Sequence, residues 1–152
     1  IGKHGYKLIF DHARELQNTF AEMIEKDSLF ELLNKPELFI INYRFVPEEL
    51  RIRLDELLEN PKENSEKITA INKVINTINI ELHKTIRDHD MSFVSRTRLE
   101  STKYAPRKIV VLRAITVNPN TEPYMLKQVL TEHRDMGIRI WQNMNLPGDS
   151  SL

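Results

Sequence analysis

With 152 residues the chain is long enough for one compact domain with a core of its own. Its 22 basic and 22 acidic residues cancel, and the bases are scattered, so no bulk charge favours nucleic acid or an anionic membrane. The absence of cysteine excludes a disulfide framework, thiolate metal sites and a cysteine nucleophile, and it fits a reducing compartment.

No apolar run approaches the roughly 20 residues of a membrane span, and no signal-peptide pattern opens the chain. The expectation is a soluble cytoplasmic domain without nucleic-acid or membrane partners. An opening Ile1 in place of methionine adds the expectation of a segment from a longer protein.

In chain order, Tyr6, Ile9, Ala13, Leu16, Phe20 and Ile24 recur at three- and four-residue steps, which predicts an amphipathic helix over 6–26. Leu29 to Leu33 is short and apolar, and Lys35-Pro36 breaks the chain. Leu38 to Val46 alternates, with Phe39, Ile41, Tyr43 and Phe45 on one face of a strand. Pro47-Glu48-Glu49 opens a short helix that Asn60-Pro61 closes. Ser65 to His89 carries a stripe of Ile68, Ile71, Ile75, Ile78, Leu82 and Ile86, a second long helix.

Met91 to Leu99 alternates again, with Phe93 and Leu99 opposite Arg96 and Arg98. Lys108 to Val117 is apolar on both faces, so this strand should be central or covered on both sides. Asn118-Pro119-Asn120 turns the chain, Thr121 is the expected N-cap, and a last helix runs over 122–145, with Gly137 a point where it could bend. The order predicts an α+β domain: a small antiparallel sheet with helices mainly on one face, preceded by a long connecting helix. Residues 1–27 read as that helix, 28–145 as the domain and 146–152 as a polar tail.

Chemistry concentrates on Arg113. It sits mid-strand among Ile109, Val111, Ile115 and Val117 on its own face, and a guanidinium there needs an anion. The anion is either an internal carboxylate, in a structural salt bridge, or the carboxylate of a ligand, which arginine binds bidentately. His83 and His89 are six apart, off any shared helical face, and His4, His12 and His133 add no metal-ligand spacing, so all five are expected to be solvated or interfacial.

Ser92, Ser95, Thr97 and Ser101 lack a nucleophile-elbow context, and four glycines leave no phosphate loop. Met91, Met125, Met136 and Trp141 are expected to pack, Arg96 and Arg98 to meet solvent, and Asp88-His89-Asp90 to be a polar helix end.

Four stretches, in order, resemble the C-terminal part of the group II pyridoxal-phosphate (PLP)-dependent amino-acid decarboxylases. They are IGKHGYKLIFDHAREL over 1–16, FELLNKPELFIINYRFVP over 30–47, NIELHKTIRDHDMSFVSRTRL over 79–99 and LRAITVNPNT over 112–121. Members act on glutamate, aromatic amino acids, cysteine sulfinate or 2,4-diaminobutyrate. The resemblance implies the small domain of a homodimeric carboxy-lyase and gives Arg113 the role of binding the substrate carboxylate.

It also implies that the lysine and the aspartate that hold PLP lie in a large upstream domain, outside this chain. His83-Lys84 imitates the family's histidine-lysine pair but falls in a stretch that matches a different segment. This chain alone should therefore be inactive. Thr121-Glu122-Pro123 departs from the family's two threonines after the turn. The rival expectations are a stand-alone binding module, with Arg113 gripping a small carboxylate or a partner, and an inert domain with Arg113 in a salt bridge. A self-contained domain should bury the first helix's apolar face; a part of a larger protein should leave it exposed.

Overall fold

The computed structural model describes residues 1–89 and 94–144. Apolar periodicity decides most of the elements. Helix α1 (Lys3–Lys26) begins earlier than Tyr6, takes Gly5 into its first turn, and buries Ala13, Leu16, Phe20 and Ile24. Its first three turns run clear of the core, with Ile1, Tyr6, Leu8 and Phe10 all more than half exposed. The predicted face is thus buried only from Ala13 onward. Helices α2 (Glu48–Leu57), α3 (Ser65–Asp88) and α4 (Pro123–Met144) follow the expected order.

Helix α4 starts at Pro123, so Glu122 and not Thr121 holds the position before it. The buried Thr121 uses its carbonyl to accept a bond from His12 Nε2 at 3.1 Å. Nor does Gly137 interrupt α4: a Cβ there would come within 2.6 Å of the Phe45 ring, so glycine lets helix and strand approach.

The strands β1 (Phe30–Leu32), β2 (Ile40–Phe45), β3 (Ser95–Leu99) and β4 (Ile109–Ile115) form an antiparallel sheet of order β1-β2-β4-β3. Strand β4 is internal, as its two apolar faces require. The proposed start of the third strand at Met91, with Phe93, and the tail 146–152 lie outside the described residues.

Phe39 does not join β2. It and Leu38 take positive φ values of 64° and 50°, and its ring stacks on Phe10 with centroids 5.8 Å apart. On one sheet face Ile41, Tyr43, Phe45, Leu112 and Ala114 pack with α1, α4 and the C-terminal half of α3. A second cluster joins Ile109 and Val111 to Tyr104, α2 and the N-terminal half of α3. Each fully buried side chain of this size contributes about 1.5–3 kcal/mol.

Where β2 and β4 part, α3 takes over their pairing. Register sets Phe45 opposite Val110, yet the Phe45 amide donates to Asn79 Oδ1 at 2.8 Å and its carbonyl accepts from Asn79 Nδ2 at 2.8 Å. The Val110 amide donates to Asn76 Oδ1 at 2.9 Å. Asn72, Asn76 and Asn79 follow one another at helical spacing, so one line of carboxamides satisfies strand groups that would otherwise be buried unpaired.

Candidate functional site

Alternation along the inner strands puts Asn42 and Arg44 of β2 on one sheet face with Val111 and Arg113 of β4. Two arginines therefore share this face. Arg44 is fully buried, at 0% exposure. Its Nε donates to Glu31 Oε2 at 2.7 Å, its Nη1 donates to Asn72 Oδ1 at 2.9 Å, and its guanidinium lies 4.8 Å from the Tyr104 ring centroid. Glu31 also pairs with Lys103 at 3.0 Å and accepts from the Tyr104 hydroxyl at 2.8 Å.

Burial pushes the Glu31 carboxyl up. Arg44, Lys103 and the bonds from Tyr104 and Arg44 outweigh it and hold the carboxyl below the usual range. Burial raises the Tyr104 hydroxyl. The internal salt bridge considered for Arg113 is thus made by Arg44, whose place in the alternation of β2 carries no such signal.

Arg113 is in a different situation. Its own face is packed on one side, at Ile109 and Val111, and open on the other, where Ile115 and Val117 are exposed. The arginine stands at that border, half-buried. Among the described residues no carboxylate pairs with it, and its one hydrogen bond runs from Nε to Asn42 Oδ1 at 3.5 Å. Across the sheet its register partners are Asn42 and Ser95, so a polar band Asn42–Arg113–Ser95 crosses β2, β4 and β3 next to the open edge. A half-buried guanidinium whose Nη groups have no partner among the described residues can accept an external carboxylate in bidentate fashion.

The remaining candidates scatter. His133 is not solvated: it is buried on α4 with Nδ1 2.9 Å from the Tyr43 hydroxyl, and burial, with the nearby His83, depresses it to about 4. Burial likewise raises Tyr43. His83 is lowered by partial burial and by Arg96 and Arg87. His89 Nδ1 contacts the Thr85 carbonyl at 2.8 Å, and His4 is exposed.

Met136 and Trp141 pack against the core, and Arg96 and Arg98 are exposed on β3. Met91, Ser92 and Asp90 lie outside the described residues. Among the described residues no three of His, Cys, Asp and Glu gather as a metal-ligand group, and no helix is long and apolar enough to cross a membrane. Two clefts, of about 580 and 630 Å³, lie along β1 with Arg51 and between α1 and α4 at Asp27 and Arg134, away from Arg113.

Comparison with known proteins agrees with this architecture. No family model matches the chain. Aspartate 1-decarboxylase of Aliivibrio fischeri is 34% identical over 137 residues, which are 90% of this chain and 24% of that protein. Mouse CSAD superposes with a TM-score of 0.70 at 20% identity, over 90% of this chain and 25% of its own.

The chain has the fold of the C-terminal portion of the group II pyridoxal-phosphate-dependent decarboxylases. The glutamate decarboxylase domain of the Vibrio parahaemolyticus diaminobutyrate-pyruvate transaminase and L-2,4-diaminobutyrate decarboxylase matches at TM-score 0.62 and 15% identity, over 86% of this chain and 22% of that one. Oryza sativa TDC with PLP matches at 0.64 and 11%, over 91% of this chain and 24% of its own. The chain thus spans about a quarter of the length of the proteins it resembles.

The histidine-lysine pair of this chain does not fit the lysine that would hold PLP. The histidine-lysine pair at His83-Lys84 projects from α3, with the Lys84 side chain 58% exposed and 3.9 Å from Glu81, an ordinary surface ion pair. A lysine that holds the cofactor has to be sheltered with it, and Lys84 is not.

Proposed function

We propose that this chain is the C-terminal small domain of a cytoplasmic, homodimeric PLP-dependent amino-acid decarboxylase, inactive alone, in which Arg113 binds a carboxylate of the substrate. The carrying observation is the state of Arg113: half-buried beside an open edge and without a carboxylate partner among the described residues. A charge in that position is compensated by something outside the domain, and an amino-acid substrate supplies the matching group. Held there, the substrate carboxylate orients the amino acid against a cofactor carried elsewhere, which provides the electron sink for CO2 loss.

The partner that this domain needs is an upstream PLP-binding domain of the same protein. Tyr6, Leu8 and Phe10 on the free half of α1 are exposed. Phe10 stacks on Phe39, next to Leu38, which is 83% exposed. The Phe39 carbonyl accepts from the amide of Thr116, between the exposed Ile115 and Val117. These contacts bring Phe10, Phe39 and the strand end at Ile115 and Val117 to one end of the domain, a surface that a stand-alone binding module would have no reason to leave in water. Continuity of that end with the open edge at Arg113 supports a docking surface that also closes the substrate site.

The test uses the full-length protein. A cofactor absorption band that borohydride bleaches, together with amine and CO2 production, is expected, with L-aspartate the first substrate to try because of the Aliivibrio fischeri relative. A colourless full-length protein that releases no CO2 from L-aspartate, L-glutamate, cysteine sulfinate or 2,4-diaminobutyrate would refute the proposal.

A further inference from the structure

The position opposite Arg113 is occupied by asparagine, and the surrounding strand geometry gives that choice a meaning. The pair Asn42–Arg113 is a non-hydrogen-bonded one. The neighbouring pairs exchange the ladder bonds, as the Thr116 amide to Phe39 carbonyl bond at 3.1 Å indicates. In such pairs the side chains approach closely.

Asn42 turns its backbone the other way. Its amide donates to Asn34 Oδ1 at 2.7 Å and its carbonyl accepts from the Leu33 amide at 2.9 Å. Asn34 is in turn fixed by Nδ2 bonds to the carbonyls of Ile40, at 3.2 Å, and Lys35, at 3.1 Å. The Asn42 side chain, 6% exposed, is therefore held on a clamped backbone with its carboxamide oxygen towards Arg113 Nε.

Resting on the reading of Arg113 as the substrate-carboxylate ligand, we propose that Asn42 is its positioning residue. The carboxamide oxygen takes the Nε–H and leaves both Nη groups as the fork for the carboxylate. Chemistry on the same sheet face explains why an amide serves here and a carboxylate does not. Arg44 meets Glu31, and that guanidinium is neutralised and buried. An aspartate at 42 would do the same to Arg113, so substrate would have to displace an internal anion. An apolar residue would leave Nε unpaired and the long side chain without a preferred direction. The amide orients the cation without cancelling its charge. At 3.5 Å the bond is at its long limit, as such contacts often are before substrate is bound.

The experiment compares Asn42→Ala, Asn42→Asp, Arg113→Lys and the two double variants in the full-length PLP-loaded protein. It measures KM and kcat separately for whichever of L-aspartate, L-glutamate, cysteine sulfinate and 2,4-diaminobutyrate the parent decarboxylates best, with melting temperature and cofactor absorbance alongside. Asn42→Ala is expected to raise KM about tenfold, the usual scale for losing a hydrogen bond to a charged group. Asn42→Asp, which is isosteric and keeps the acceptor, is expected to raise KM more than Asn42→Ala while melting at or above the parent temperature.

In the Arg113→Lys background both effects should fall to about twofold or less, because a residue that acts through Arg113 has nothing left to position. Either an unchanged KM in Asn42→Asp or a KM loss that persists in full beside Arg113→Lys would overturn the role of Asn42 and leave that of Arg113 standing. Wild-type kinetics in Arg113→Lys would overturn the carboxylate reading itself and this inference with it.

Discussion

Arg44 and Arg113 stand on adjacent strands and on the same face of one sheet, and they have opposite fates. Arg44 is enclosed by Glu31, Asn72 and Tyr104 and sees no solvent. Arg113, across the sheet and nearer its open edge, has among the described residues a single hydrogen bond, to a neutral amide. The difference teaches that a charged residue in a strand is not by itself a sign of function; what matters is whether its counter-charge belongs to the same domain. A guanidinium compensated internally is architecture, and one without a counter-charge among the described residues is where an external anion is worth testing.

That contrast can be broken by removing each arginine. Arg44→Ala leaves Glu31 buried with only Lys103 and Tyr104 for company. It is expected to destabilise the protein by about 3–5 kcal/mol, read as a large fall in melting temperature or denaturant midpoint. Arg113→Ala in the full-length protein is expected to lower kcat/KM on the order of 100-fold, about 2.7 kcal/mol, with melting temperature and bound cofactor unchanged. If Arg113→Ala melts as early as Arg44→Ala, or Arg44→Ala is as stable as the parent, the two residues are not different in kind.

The helix-covered face supplies controls that should move stability alone. Gly137→Ala forces a methyl against the Phe45 ring and is expected to destabilise by about 1–3 kcal/mol, with KM unaltered in the surviving folded fraction. The smallest effect is one of pH. Buried His133 is depressed to about 4, below the ordinary 6.5 it recovers on unfolding, so the unfolded chain takes up the proton first. Stability is therefore lost as pH falls from 6.5 towards 4, by about 1 kcal/mol at pH 5.5. His133→Gln should flatten that part of a melting-temperature profile; an unchanged slope would remove His133 as its source.

The order of elements was legible because each is long or strongly periodic. The stripes over 65–89 and 122–145 admit only helices, and the doubly apolar run 108–117 only an internal strand. Arg113 was legible for the same reason, as a charge interrupting that run. Arg44 was not, because the alternation of β2 put it on the face that looks polar, and its partners come from a three-residue strand, a helix and a loop.

The roles of Asn42 and Gly137 depend on a cross-strand register and on a ring from another element, neither of which is local in sequence. His133 did leave a signal: it shares helical spacing with the buried Leu126, Val129, Leu130 and Gly137, which marks the inner face of α4. Thr121 does not cap α4, because Pro123, not the residue after the threonine, is where the helix begins.

The asparagines of α3 carry a consequence for how the domain breathes. Since Asn76 and Asn79 hold the Val110 and Phe45 amides, two strands far apart in sequence share one lock, and the lock is a helix that lies between them along the chain. Those amides can exchange their hydrogens only when α3 lifts from the sheet. Their protection is thus tied to the opening of the helix and not to fraying of either strand, and the two should lose it together.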